Sequence, residues 1–320
     1  MVCNSTLGNL PDEWFITFGV IMVIISVSGT FQNLLVIFIL LKDKDLPSPS
    51  FKILRSLAVA DFLTSLIVAP LHCMQYFDRE TLFHDCTVES MRRFLSTVFI
   101  GASAFTVGFI SCERCILLKR ANYTMPKKWM YTGIALCWLI PIILTFLRFL
   151  STAEKVYSAL IITSGILILV TIFTAYIAII VALHMNSRRS LTNSGSERDR
   201  RTVITVIIII SFYILMLMPI FIHHGLNSYK ACSAGCLTKT YNVGQVLAIG
   251  NSAVNPLIYF LRSSKMRESA GKIIGEITRR CRFGASLDGH QMSQRSIETN
   301  VDADDYQFSH QSAEESNCEM

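Results

Sequence analysis

The chain has 320 residues, of which 52% are apolar (AVILMFWYC) and only 16% charged, against about 25% charged in a soluble domain; mean hydropathy is +0.46. That composition excludes a soluble globular protein, which would lack the charge to cover its surface, and excludes disorder for the bulk of the chain. The ten cysteines and the net charge of +6 acquire meaning only from their places along the chain, and several cysteines fall inside apolar runs where no disulfide framework is expected.

Residues 1–13 hold no Lys or Arg and carry the glycosylation sequon Asn4-Ser5-Thr6. The run 14–41 has no charge, no basic stretch before it and no small-residue cleavage site after it, so a retained helix is expected rather than a signal peptide. Six further runs follow: 56–77, whose single charge is Asp61, then 94–112, 129–147, 156–183, 202–222 and 240–261, all uncharged. Each approaches or exceeds the roughly 20 residues that cross a bilayer as helix. A helix satisfies its own backbone hydrogen bonds, which is what lipid demands. One such run could be a buried helix of a soluble protein; seven in series with mostly short polar connections predict an all-α, seven-transmembrane helix bundle over 14–262. Residues 276–320 are polar without apolar periodicity and read as a flexible tail. No internal repeat is evident, which weakens an inverted-repeat transporter.

Of 29 Lys and Arg, only Arg79, Arg92, Arg93, Arg148, Lys155, Lys230 and Lys239 fall on the side of the N-terminus. The rest crowd the connections after the first, third and fifth spans and the C-terminal tail. By the positive-inside rule the N-terminus is extracellular and the tail cytoplasmic. The basic balance therefore reads as a cytoplasmic membrane face, not a nucleic-acid patch. A second sequon, Asn122-Tyr123-Thr124, falls on the inner side and is expected to stay unmodified.

Asp61 is the one acid inside the apolar runs, and an ionisable group there is a functional candidate by default. Asn33, Ser103, Asn251, Ser252 and Asn255 are its candidate partners. Together they offer the oxygens that suit a hard cation, or a hydrogen-bond cluster that fixes helix packing; the residues alone leave both open. Glu113-Arg114 ends the third span and forms a local pair, unless Arg114 bridges to Asp199 in one state and releases it in another. Pro219 and Pro256 kink the sixth and seventh spans.

In this order, the residues resemble the rhodopsin-like (class A) G-protein-coupled receptors over 14 to about 275. Gly29 and Asn33 with Leu-Leu-Val lie in the first span, Leu57-Ala58-Val59-Ala60-Asp61 in the second, and Ser111-Cys112-Glu113-Arg114-Cys115 ends the third. Trp138, Tyr176 and Asn255-Pro256-Leu257-Ile258-Tyr259 follow. The resemblance implies a short amphipathic eighth helix over 263–275, on the cytoplasmic side. It implies a sodium pocket of Asp61, Ser103, Asn251 and Ser252, with an allosteric sodium ion and no other cofactor or metal. It implies a G-protein switch of Glu113, Arg114, Asp199, Tyr176, Asn255, Pro256 and Tyr259, and a hinge at Pro219 and Leu217. Cys281 becomes a palmitoylation candidate.

Departures are equally informative. Leu217 replaces the family's tryptophan, the fifth span has no proline, and the connection after the fourth is short and free of cysteine. The usual disulfide from the third span to that connection cannot form. These features are similar to the melanocortin, cannabinoid, lysophospholipid and adenosine branch. Cys232 and Cys236 resemble the melanocortin loop disulfide and are close enough to bridge. Cys3 with Cys86, or Cys73 with Cys86, remain alternatives on the oxidising side. Ser96 stands where amine receptors hold Asp, and Ile249 where opsins hold Lys. A peptide, nucleoside or lipid is therefore expected before an amine or retinal. Ser96, Arg92, Phe221, His223 and His224 are the candidate ligand contacts. Adjacent histidines point to different sides of a helix, so at most one of the two is expected to face the pocket, and Arg92 and Arg93 read otherwise as solvated charge at a helix end.

The resulting expectation is a plasma-membrane receptor, not an enzyme. Its partners would be an extracellular ligand, a heterotrimeric G protein, the lipid bilayer and arrestin through the Ser/Thr-containing tail, with no nucleic acid. The alternative is a polytopic transporter or channel using Asp61.

Overall fold

The computed structural model describes residues 12–42, 49–77, 86–119, 125–150, 154–189, 211–227, 229–262 and 266–273, with 275, 278 and 279. The described residues form helices and turns, with no strand among them. Helix α1 is Asp12–Lys42, α2 Pro49–Phe77, α3 Cys86–Lys119, α4 Lys127–Leu150, α5 Glu154–Arg189 and α7 Ala234–Arg262. Helix α6 is described over 211–227, and a short α8 over 266–273. The bundle forms one unit through Ser264, and the chain from Lys265 forms another. In α8, Lys272 Nζ lies 2.8 Å from the Glu268 carboxylate one turn back.

Five described helices are long and apolar enough to cross a membrane: Glu13–Lys42, Pro49–Phe77, Thr87–Glu113, Lys127–Leu147 and Ser158–Ala178. Helix α7 is 29 residues long, but Asn242, Gln245, Asn251, Ser252 and Asn255 lower its hydropathy. Residues 202–210 of the sixth expected span lie outside the described residues. Helices α1, α3, α4, α5 and α7 outrun their apolar windows at both ends, because charged and polar residues also continue a helix.

Burial is inverted relative to a soluble protein. Val27 and Phe31 of α1 are 67% and 69% exposed, while Asn33, Asp61, His72 and Arg92 are fully buried. Such a surface is stable only against hydrocarbon. Helix α3 is central and touches α2, α4, α5 and α7. One apolar cluster joins Phe15, Phe18 and Met22 of α1 to Tyr76 of α2 and Ile249 of α7. A second joins Ala104 of α3, Ile168 and Ile172 of α5, Tyr213 and Leu217 of α6 and Ala248 of α7.

Helix α2 is interrupted by a wide π-helical turn, Thr64–Val68. Pro70 follows, and its ring would clash with the carbonyl of Leu66 in a regular α-helix. The wide turn absorbs that clash without ending the helix. Gly244 allows α7 to meet α6 at its proline: a Cβ there would lie 3.0 Å from the Ile220 backbone and 3.2 Å from the Pro219 carbonyl carbon.

Candidate functional site

Three features occupy the interior. The first is a carboxylate held by neutral donors. Ser103 Oγ donates to Asp61 Oδ1 at 2.7 Å, and Asn255 Nδ2 to Asp61 Oδ2 at 2.7 Å. Ser252 is a further side-chain partner of the same carboxylate. Asn33 Nδ2 donates to the Ser252 carbonyl at 2.9 Å and to the Gly29 carbonyl at 2.9 Å, while its buried Oδ1 has no partner among the described residues. Asn251 is buried beside Ser252. Helices α1, α2, α3 and α7 thus converge on one negative group with no cationic partner among the described residues. Hydroxyl, amide and carboxylate oxygens are the donor set of a hard cation, so the residues present fit sodium.

The second feature is a cage at the end of the bundle where α3 begins. Arg92 Nε donates to Glu89 Oε2 at 2.8 Å, and its Nη2 to Glu89 Oε1 at 2.6 Å, a two-pronged pair one turn apart. Arg92 Nη1 lies 2.9 Å from His72 Nε2 on α2. Arg92 Nη2 donates to the Tyr241 hydroxyl on α7 at 3.3 Å. Ser96 Oγ donates to the Arg92 carbonyl at 2.7 Å and lies 3.2 Å from His72 Nε2. Nearby, the Tyr76 hydroxyl donates to Asn242 Oδ1 at 2.9 Å. Arg92 has no exposed surface, so the reading of solvated helix-end charge is corrected here. Charge of this kind is stable under cover only when fully paired, and Glu89 supplies the pair. Arg93, 26% exposed, shares the same carboxylate.

The third feature is a cavity of about 180 Å³ between α3, α4, α5, α6 and α7. Leu217, Ile168 and Ala104 form its apolar floor, and Arg93, His223, His224 and Gln245 are polar groups on its wall. Ser96 and Phe221 also line it. Gly165 of α5 admits the Phe221 ring, which a Cβ would meet at 2.3 Å. Gln245 Oε1 is buried without a partner among the described residues. Arg92 does not line this cavity, and no residue of α2 does, because the cage closes that side. Both histidines line it, against the expectation that at most one would. They sit on adjacent sides of α6, and the cavity wraps that helix. His223 Nδ1 lies 3.4 Å from Thr240 Oγ1 of α7, and His224 Nδ1 lies 3.5 Å from Ser158 Oγ of α5.

Elsewhere, the Ser50 hydroxyl donates to the buried Glu113 carboxylate, tying the start of α2 to the end of α3. Trp138 Nε1 donates to Ser56 Oγ at 3.0 Å, joining α4 to α2. Tyr176 is half-buried on α5, Pro256 is buried within α7, and Pro219 lies in α6 with Leu217 buried below the cavity. Cys232 and Cys236 are bridged at the start of α7. Cys73 is free, with its thiol 3.7 Å from the Gly19 carbonyl, so the alternative pairing of Cys73 with Cys86 is corrected. Asn4, Cys3, Asp199 and Cys281 lie outside the described residues, as do the side chains of Cys86, Arg114 and Tyr259.

Sequence reasoning missed His72 and Tyr241 as partners of Arg92, and Tyr213. Tyr213 is 3% exposed and its hydroxyl has no partner among the described residues. The available signal was the one tyrosine of the sixth span, about two turns before Pro219.

Residues 32–158 and 150–259 match the family model described as 7 transmembrane receptor (rhodopsin family). Sphingosine 1-phosphate receptor 3 of Takifugu rubripes is 28% identical over 257 residues, which cover 74% of this chain and 66% of that protein, slightly under two thirds of its length. The crystal structure of squid rhodopsin superposes with a TM-score of 0.73 at 18% identity, covering 88% of this chain and 92% of that one. At that identity the likeness speaks to the seven-helix fold.

Proposed function

The chain belongs to the 7 transmembrane receptor (rhodopsin) family, and on that premise we propose that it transmits an extracellular ligand signal to a heterotrimeric G protein. The observation that carries this reading is the cavity whose floor, Leu217, lies two residues before the α6 proline. A ligand that fits better when α6 has swung outward shifts the population toward that state, and the Arg114 end of α3 then opens to the G protein. Catalysis belongs to that partner. Family membership speaks against the transporter or channel alternative.

The ligand we favour is amphipathic with an anionic group. Arg93 is the cationic side chain among the lining residues described, the floor is apolar, and the relative named above is a receptor for a phosphorylated lipid. Asp61 with Ser103, Ser252 and Asn33 would hold a sodium ion, which supplies the positive charge that the neutral partners lack. The Lys and Arg distribution supports an N-terminus outside and basic connections in the cytoplasm, and a receptor for an extracellular ligand belongs in the plasma membrane. Arrestin would engage the Ser/Thr-containing tail.

The test is G-protein activation in cells, basal and with a lipid-phosphate panel, in wild type beside Arg114→Ala and Arg93→Gln. Ligand response in wild type that Arg114→Ala removes is the expected result. Arg93→Gln is expected to raise the half-effective concentration at least about tenfold, the size of a lost charge-assisted bond. No response from any G protein, with surface expression verified, sinks the reading.

A further inference from the structure

The α3–α4 face carries a second cavity, of about 460 Å³, that none of the roles above uses. We propose that it binds one anionic phospholipid, with an acyl chain in the groove and the phosphate at Lys128. The groove opens outward: Trp129 at its edge is 68% exposed and Ile116 39%. Its floor is the Phe109 ring, laid against the α4 backbone at Gly133, where a Cβ would come within 2.3 Å of that ring. The lining is apolar apart from Thr132 and Cys137. From Trp129 to Ile140, the groove follows α4 for roughly 16 Å at 1.5 Å per residue. That is about half of a ~30 Å hydrocarbon core, the depth of one leaflet.

Charge selects the headgroup. Lys127 and Lys128 are exposed at the start of α4, which has no acidic residue along its length. Lys128 stands one turn before Thr132 and so lies on the groove side of the helix. The start of a 24-residue helix contributes further positive potential. Basic clefts between spans on the cytoplasmic side hold anionic headgroups, each lysine near the surface being worth about fivefold in binding. The choice of leaflet rests on the orientation proposed above; the groove and its lysines do not.

The test is native mass spectrometry of the full chain, purified and exposed to equal amounts of phosphatidylserine and phosphatidylcholine with matched acyl chains. Wild type is expected to retain phosphatidylserine at least about fivefold over phosphatidylcholine. Lys128→Gln is expected to lower that ratio about fivefold, and Thr132→Trp, which fills the groove from its open side, to lower retention of both lipids. Leu136→Phe serves the same purpose should Thr132→Trp fail to fold by circular dichroism. Equal retention of the two lipids by wild type, or folded variants indistinguishable from it, overturns the proposal. So does cholesterol that displaces both lipids from wild type, since the groove would then be a sterol site. The readout needs no G protein, so its failure is separable from failure of the receptor reading.

Discussion

Two buried charges, Asp61 and Arg92, sit in the same bundle under opposite regimes. Asp61 is surrounded by neutral donors from α3 and α7, so its ionised form has no cation from the described chain. Arg92 is met within its own helix by Glu89 through two bonds, and α2 and α7 merely complete its shell. The first lacks a counter-charge among the described residues; the second carries its own. Burial of a charge in a membrane protein therefore does not by itself mark a ligand site. The state of its counter-charge does.

The contrast breaks most visibly at Glu89. Glu89→Gln leaves Arg92 buried and uncompensated, an expected loss of about 3–5 kcal/mol, read as a large fall in the unfolding temperature in detergent. The double variant with Arg92→Met is expected to recover most of it, since removing both charges removes the penalty. A single variant that melts with wild type would show the cage not to depend on its own counter-charge. At Asp61 the expected effect appears only with the ion. Sodium at about 100 times its Kd should stabilise wild type by about 2.7 kcal/mol and Asp61→Asn not at all, with potassium as the comparison salt. An unchanged sodium response in Asp61→Asn would remove the Asp61 half of the comparison. Smaller still is Tyr241→Phe, which deletes one bond of the Arg92 shell and should cost about 1 kcal/mol. Last, Tyr213→Phe removes a buried hydroxyl that has no partner among the described residues and is expected to raise stability by up to about 1 kcal/mol; a loss instead would reveal a group, water or ion bonded there.

The same contrast explains what could be read in advance. The spans are legible because lipid demands long uncharged runs, and Asp61 is legible because one acid in such a run has no innocent place. Asn33, Ser103 and Asn255 stood out for the same reason. Arg92 was not legible. Glu89, Arg92 and Arg93 stand near a helix start, where charge usually meets water, and His72 and Tyr241 come from other helices whose rotation no pattern in one sequence reports. The two histidines misled for a related reason. Their angular separation on α6 was right, but the cavity occupies more of the helix circumference than a one-sided pocket would. Cys73 was a pairing candidate by its nearness to the oxidising side, and only the helix packing shows its thiol turned to the Gly19 carbonyl.

The wide turn at Thr64–Val68 has a consequence for how α2 tolerates change in length. It lies between Asp61 and His72, so it sets the angular phase between the Asp61 site and the Arg92 cage. Its five residues sweep roughly the angle that four cover in a regular helix. Regularising the turn at constant length would therefore rotate everything beyond it by about 100°, one residue's step: Asp61 would keep Ser103 and Asn255, while His72 would swing away from Arg92 and Tyr76 away from Asn242. Deleting one residue as the turn becomes regular would instead restore the phase, so this is the place in α2 where the chain absorbs a one-residue deletion without severing the Arg92 cage from Asp61.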